Sequence, residues 1–512
     1  MRTRSLWSGS VLALVLTFSV ACGGRGTEDG KGTEQGAPQS GGDVGQGPLT
    51  AREQQLFHHL AEGSELIPVA WVRAMRNPDD RSKFFLQNPE RFGLIADPTN
   101  PDGLPIGVTA DTTVDLRFLG VIMMGFNCSA CHTNEIAYRG NRLLIDGGPA
   151  RFNAELIGTD IGRALKETLK PLHFLQFLYD LARQPRSVIG TDSVRLRNTR
   201  HPAVLRWLGE QVDGERTAVE ARFLASLEAE IARDSVQSRP VNLKSVPWDS
   251  THPAFQQLMR RYSEMRTEGT RTALYGALPQ SDAVAGDPQA AAARQGAIGE
   301  FLVIWRMLRD RAELMWTDAG HGPAVDTTSD GPARVDAFGV ARNRLYPHTP
   351  VPTTAPVSYP HLWGFGENRW LHYDANTTSV MERNLGQALG VGGVFDPVTL
   401  KSTLNPVNIR QLEMFARRLE APAWPAFFPA IDPAKARQGE PLYGRFCAGC
   451  HQDPPQKDAD VCFAVSEMRT DSLRAVNFAT PLGNGRFTDS VAPLLRRMKY
   501  AAYETFGVPR DQ

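Results

Sequence analysis

Cys128-Ser129-Ala130-Cys131-His132 and Cys447-Ala448-Gly449-Cys450-His451 are two copies of one pattern, Cys-x-x-Cys-His, in a chain of 512 residues. The spacing has a mechanical meaning. Two intervening residues let one tight turn present both sulfurs to the same edge of a flat cofactor, and the next residue points its imidazole at the cofactor's face. That is the attachment pattern of c-type haem, in which both thiols become thioethers and the histidine reaches the iron. It assigns Cys128, Cys131, Cys447 and Cys450 to two covalently attached haem c groups, with His132 and His451 as the proximal iron ligands. Zinc ribbons fit less well, because their cysteine knuckles lie about 15 to 20 residues apart. A histidine abutting its cysteine also cannot easily share that cysteine's metal. A thioredoxin-like redox pair needs a βαβ setting, which neither flank offers.

Lysine plus arginine and aspartate plus glutamate both total 56, so no overall charge argues for a nucleic-acid partner. The length allows roughly two to four domains, each able to bury a core. With 46 glycines and 36 prolines the chain reads as loop-rich and reliant on large apolar cofactors for order. Of six cysteines, four go to haem, which leaves Cys22 and Cys462. An exported protein with an odd thiol does not rest on disulfides, and Cys462, between Val461 and Phe463, reads as a small buried apolar residue.

Export is expected from the N-terminus. Arg2 and Arg4 precede an apolar run, Val11 to Val20, which is too short to span a membrane, and Ala21 then precedes Cys22. Ser19-Val20-Ala21-Cys22 resembles a bacterial lipoprotein box, with Ser19 where a leucine is usual. Lipidation of Cys22 and ordinary cleavage cut the same bond. The expected layout is a signal peptide over 1–21 and a Gly-rich tether over 22–50, giving a periplasmic or extracytoplasmic protein held to a membrane surface through Cys22.

Folding is expected from Ala51. An N-terminal haem module spans 51–160, with helical spacing over Arg52–Gly63 and an apolar stretch over Leu66–Met75. A helical layer succeeds it over 161–330, with helix-like runs at Ala164–Leu181, Ala218–Ile231, Ala254–Met265 and Ala291–Met315. His173, in the first of these, reads as a satisfied core histidine rather than an iron ligand. An irregular inter-haem segment over 331–430 holds Trp363, Trp370 and Trp424, with His372 just behind the second. The last segment, 431–512, reads as a cytochrome c module whose leading helix covers Ala434–Gly439 and Leu442–Phe446, and the stretch after His451 is short for completing it. The fold class expected is mainly α with much irregular coil: two cytochrome-c-like haem modules plus a helical insertion.

Several blocks, collinear along the chain, resemble the bacterial di-haem cytochrome family that contains the rubber oxygenases and is related to di-haem cytochrome c peroxidases. They are Asp102-Gly103-Leu104-Pro105-Ile106-Gly107, Cys128–His132, Ile145-Asp146-Gly147-Gly148-Pro149-Ala150, Val335-Asp336-Ala337-Phe338-Gly339 with Asn343, and Ala355-Pro356-Val357-Ser358 through Trp363 and Trp370. Glu382-Arg383-Asn384-Leu385, the Cys447 motif, Arg469-Thr470-Asp471 and Arg474-Ala475 complete them. Together they cover about half of the chain in scattered pieces.

The resemblance implies one body holding two covalent haems. The N-terminal one, on His132, would be open on its distal side to peroxide or dioxygen. The C-terminal one, on His451, would carry electrons between two protein ligands. It also implies aromatic residues between or over the haems, a role open to Trp363 and Trp370, which can equally be core aromatics anchoring an irregular segment. Three functions compete: peroxide reduction fed by a redox-partner protein, oxygen-dependent cleavage of an unsaturated hydrocarbon, and simple electron carriage. A carboxylate or histidine in the distal pocket would favour breaking a peroxide bond, whereas an apolar pocket would favour holding oxygen.

In the family the second haem's distal ligand is a histidine in a downstream segment like Tyr-Leu-His-Asn-Gly-Ser. Here no histidine comes after His451, so the sequence reads as truncated or split relative to its relatives. Met498, in a helical run over Ala492–Phe506, is the expected substitute ligand, the alternatives being an iron open to water or one more apolar residue on that helix. Met468 is worse placed. Two histidines on that iron would instead require an upstream one such as His348 or His372.

Overall fold

The computed structural model describes residues 49–112, 121–185, 196–213, 221, 224–229, 232–233, 240–241, 243, 246–247, 249–263, 286–316, 328–345, 350–372, 374–396, 399, 401–449, 451, 464–479 and 491–509. The expected leader, with Cys22 and nearly all of the tether, falls outside them, as do Cys450, Cys462, His348 and most of the run Ala218–Ile231. Helices dominate, with small sheets, and no helix among the described residues is long and apolar enough to cross a membrane.

Thr50 opens the first helix, Ala51–His59. Its hydroxyl accepts from the Glu53 amide while the Glu53 carboxylate accepts from the Thr50 amide, closing a reciprocal cap. The stretch expected from Leu66 to Met75 divides into a short strand, Ile67–Pro68, and a helix, Val69–Ala74. That strand pairs antiparallel with Met123–Phe126, whose other edge takes Val108–Asp111 in the register Val108 to Phe126. Directly after His132 a hairpin joins Thr133–Tyr138 to Asn141–Asp146, turning through Arg139 and Gly140, both at positive φ. Gly140 is a turn signal in the sequence, but strands this short carry little periodic signal of their own.

The expected run Ala164–Leu181 is two helices, Ala154–Thr168 and Pro171–Ala182, separated where Pro171 starts the second. Pro253–Ser263 and Pro288–Trp316 occupy the other described helical runs. Their apolar faces share one core with the N-terminal segment: Trp71, Phe85, Phe126, Phe152, Leu165, Phe177, Phe301 and Trp305 all belong to it. A second cluster gathers Phe338, Leu385, Leu389, Leu494, Leu495 and Met498, where the helices Val380–Gly390 and Val491–Thr505 pack. A third, smaller one joins Phe57, Leu362, Leu412, Phe415 and Leu419, with Cys128 and Trp363 packed against it.

At the margin of the first core, burial pushes the Asp330 carboxyl up to about 7, and the charges of Asp336 and Glu155 push the same way against a hydrogen bond from the Asp336 amide. The folded protein therefore keeps a proton that the unfolded chain releases near its ordinary value of 3.8. The native state binds more protons between those two values, so stability is lost as pH rises through that window. Chemical unfolding at pH 5 and pH 8 should show a decline, on the order of 2 kcal/mol of it due to this group, that Asp330→Asn removes. Equal declines in the two proteins would contradict this.

Candidate functional site

Cys128–His132 folds as a single helical turn held from three directions. Asn127 precedes it: its Oδ1 accepts from the Ser129 amide (3.0 Å), and its Nδ2 donates to the carbonyls of Phe57 and Leu60 (both 3.0 Å). Ser129 Oγ donates to the same Phe57 carbonyl (2.8 Å), which ties the turn to the first helix. Gly107 touches the turn from below. Its φ is +82°, and a Cβ there would lie 2.2 Å from the Ala130 amide nitrogen, so only glycine lets the backbones approach. Beyond the turn, the Gly147 amide donates to the His132 carbonyl (2.7 Å) and the Ala150 amide to the Cys131 carbonyl (3.0 Å). The Asp146 carboxylate is buried under His58 Nε2 (2.8 Å), Gln54 Nε2 (2.7 Å) and Thr133 Oγ1 (3.1 Å). The glycines of Asp102–Gly107 and of Asp146–Ala150 thus shape the cradle of one motif.

His132 Nδ1 lies 2.8 Å from the Pro360 carbonyl oxygen. A carbonyl can only accept, so Nδ1 carries the proton and Nε2 keeps its lone pair, the tautomer a metal ligand needs. Burial, helped by the Arg383 charge, drops its pKa to about 3, so the ring is neutral. His132 and Cys128 border a cavity of about 430 Å³, in the range of small-molecule and cofactor sites. Burial raises the Cys131 thiol to about 12 and the Cys128 thiol well above its ordinary value. Protonated, buried thiols lack the thiolate character of a redox-active pair.

The rest of the lining comes from distant segments: Tyr359–Trp363 and Trp370–His372, one face of the helix Val380–Gly390, Leu412 to Ala416, and Arg474. Trp363 donates its indole N–H to the Asp146 carbonyl (3.0 Å) and stacks on His361 at 5.3 Å, whereas Trp370 lies 40% exposed. His372 belongs to this same cavity. It sits at φ +60°, its Nδ1 bonded to Asn376 Oδ1 (3.0 Å) and its buried Nε2 without a hydrogen-bond partner among the described residues. Burial, with the Arg383 charge, lowers its pKa to about 2. The sequence reading offered His372 only as a possible upstream ligand of the second iron. Glu62 stands behind Cys128, with a carboxylate oxygen 3.5 Å from the sulfur, and burial pushes its carboxyl up to about 7. Glu62 was missed, and Arg383, Asn384 and Arg474 were noticed only inside blocks of resemblance. The signal available was the spacing of Arg383, Asn384 and Gln387 on one helix face.

The second motif has a different setting. Its leading helix is continuous over Pro433–Phe446, with Pro441 inside it and no buried residue. Leu442, Tyr443 and Phe446, the last 70% exposed, lie open beside it. Cys447 and His451 are exposed, and the Tyr443 hydroxyl donates to the His451 carbonyl. Met498 is not in this surrounding. It is 0% exposed, on the face of Val491, Leu494, Leu495, Ala501 and Ala502 that packs into the second cluster. Its surroundings are those of a core residue, and no described residue of the second motif belongs to that cluster. Met468 is exposed, and His173 is satisfied through Nδ1 by the Glu167 carbonyl (2.9 Å).

His58, His59 and Asp97 place potential ligand atoms within 4.8 Å of one another. His58 Nε2 is already bonded to Asp146 and His59 Nε2 to Asp97 (both 2.8 Å), which explains the grouping without an ion.

No family model matches the chain, and no solved structure matches it. A curated protein of Sinorhizobium fredii (strain NBRC 101917 / NGR234), "Uncharacterized protein y4iJ", is 22% identical over 440 residues, which is 78% of this chain and 55% of that protein. The chain thus spans about half the length of the curated relative it matches, and the chemistry of the site has to be argued from its own residues.

Proposed function

We propose that the chain is a di-haem c-type cytochrome whose first haem, on Cys128, Cys131 and His132, reduces peroxide with electrons delivered by a redox-partner protein and passed through a second haem on Cys447, Cys450 and His451. The observation that carries this reading is the His132 ring: buried, neutral, its Nδ1 proton committed to the Pro360 carbonyl, beside a cavity of about 430 Å³ that Cys128 also borders. Those residues fit a haem. Its two thioether positions fall on one helical turn, and its edge and face would meet Trp363, Phe365, Leu371 and Leu412. The apolar residues exposed beside the second motif, Leu442 and Phe446, fit the edge of another large apolar group.

When bound, haem supplies an iron that can accept an oxygen ligand and exchange single electrons. The chain supplies the rest. His132 holds the proximal side in one tautomer, and the Asp146 network with Gly147 fixes the turn that carries it. Reducing one peroxide to two waters consumes two electrons and two protons. Glu62, with a carboxyl that titrates near neutrality, can hold a proton at its Oε atoms beside the Cys128 sulfur, in a small pocket that also borders His132 and Arg383. The polar groups in the lining, Arg383, Asn384, Gln387 and His372, favour peroxide over a hydrocarbon, which would require an unbroken apolar wall.

The test is a reduced sample offered carbon monoxide, then peroxide with a reduced donor cytochrome, and separately polyisoprene with oxygen. Carbon monoxide should bind one haem of two, and peroxide alone should be turned over. Oxygen uptake with aldehyde or ketone products would select the oxygenase instead. No carbon monoxide binding and no turnover would leave an electron carrier.

A further inference from the structure

The cavity also contains a cation that neither the attachment chemistry nor the proximal ligand requires. Arg383 lies deep in the protein yet keeps partial exposure, because it borders the cavity. Its guanidinium donates to Asn384 Oδ1 (2.9 Å) and makes no ion pair with a carboxylate among the described residues. The carboxylates nearby are engaged elsewhere, Glu413 with Arg410 and Arg417 (both 2.8 Å) and Asp374 facing Arg474 at 3.8 Å, while Glu62 attracts Arg383 only at longer range and places its carboxylate oxygen against the Cys128 sulfur. A guanidinium taken out of water without a counter-ion costs several kcal/mol unless an anion joins it.

Its neighbours are suited to receive one. Asn384 and Gln387, one and four residues on, project from the same helix face into the same lining, and both carry amide N–H groups. Guanidinium and carboxamide donors around one space form a recognition set for a small anion.

We infer that Arg383, with Asn384 and Gln387, forms an anion subsite in this cavity that binds the anionic sixth ligand of the haem iron held by His132, which is the deprotonated peroxide during turnover. The inference rests on the reading of Cys128–His132 as a haem site. With haem bound, these donors would hold the peroxide anion in the cavity and would stabilise the negative charge that develops as its O–O bond breaks. Two electrons from the redox partner and three protons, one of them the proton released when the peroxide deprotonates, complete the conversion of the hydroperoxide anion to two waters.

The experiment uses the full chain with haem attached, with fluoride and cyanide titrated into the oxidised protein and carbon monoxide into the reduced one. Arg383→Gln should weaken fluoride and cyanide binding by about 10- to 100-fold, the worth of a charge-assisted hydrogen bond. Carbon monoxide, which is neutral, should bind within about twofold of wild type on the same scale. Arg383→Lys should recover most of the anion affinity. If Arg383→Gln does not fold, Gln387→Leu supplies the comparison, with an expected loss of about threefold or more for the anions alone. Unchanged anion affinity overturns the subsite, as does an equal fall in anion and carbon monoxide binding. Wild-type chain lacking covalent haem overturns the functional reading as well, so the two failures are distinguishable.

Discussion

Replacing Cys128 and Cys131 with alanine should reduce the haem count per chain from two to one and abolish peroxide turnover. Both sulfurs leave one helical turn, whose position is fixed by Asn127, Ser129 and the close approach of Gly107. The alanines fit without clash, since the change only removes atoms, and the hydrogen bonds that tie the turn to its surroundings through Asn127, Ser129 and the backbone stay in place. The loss should therefore be of the cofactor rather than of the cradle. The remaining haem, on the exposed second motif, should show no carbon monoxide binding. Haem staining of the denatured protein with intact mass reads the count directly, and a double variant that retained two covalent haems would sink the assignment of the first motif.

His132→Gly should give the second large effect, with a different signature. Thioether attachment does not depend on the histidine, so two haems should stay on the chain while the first iron loses its proximal nitrogen. Peroxide turnover should fall by at least about 100-fold, since even the outer-shell partners of a metal-ligating histidine are worth 10- to 100-fold. Added imidazole, free to enter the space left by the ring, should restore a substantial part of both the activity and the spectrum of the carbon monoxide-binding haem. If the variant's spectrum and turnover match wild type, His132 is not the ligand and the Pro360 hydrogen bond serves packing alone.

The site was legible in the sequence where chemistry leaves a local pattern. Cys128 to His132 announced itself through spacing, and the glycines of Asp102–Gly107 and Asp146–Ala150 stood out as blocks before their reason was visible. That reason is backbone contact across the chain: Gly107 against Ala130, and the Gly147 amide on the His132 carbonyl. What the sequence could not supply was the company these residues keep. His372 and Arg383 reach the large cavity from separated segments, Glu62 lines a smaller pocket that shares Cys128, His132 and Arg383 with it, and no periodicity encodes those meetings. His372 shows the difficulty. As an upstream histidine it is one of two that could serve the second iron if that iron carried two histidines, whereas the chain reversal after Leu371, marked by positive φ at His372 and Ala375, brings it to the first motif's cavity.

Met498 shows the opposite limit. The helical run expected over Ala492–Phe506 meets the helix Val491–Thr505, yet the same spacing serves a core face and a ligand face alike, and Met498 packs in the cluster of Leu385 and Leu389. The runs expected over Ala254–Met265 and Ala291–Met315 meet the helices Pro253–Ser263 and Pro288–Trp316, because apolar residues at helical spacing persist through local exceptions. The hairpin after His132 was not, since each strand is six residues long and only partly buried.

The central claim, that the two Cys-x-x-Cys-His motifs make this chain a di-haem c-type cytochrome with one reactive iron, is tested most directly by counting. The full chain, produced where haem is attached to exported cytochromes, should be denatured and its intact mass measured, alongside carbon monoxide binding to the folded, reduced protein. The account predicts two haems that survive denaturation and one equivalent of carbon monoxide. A chain with no covalent haem at Cys128 and Cys131, or with two haems that both bind carbon monoxide, would contradict it.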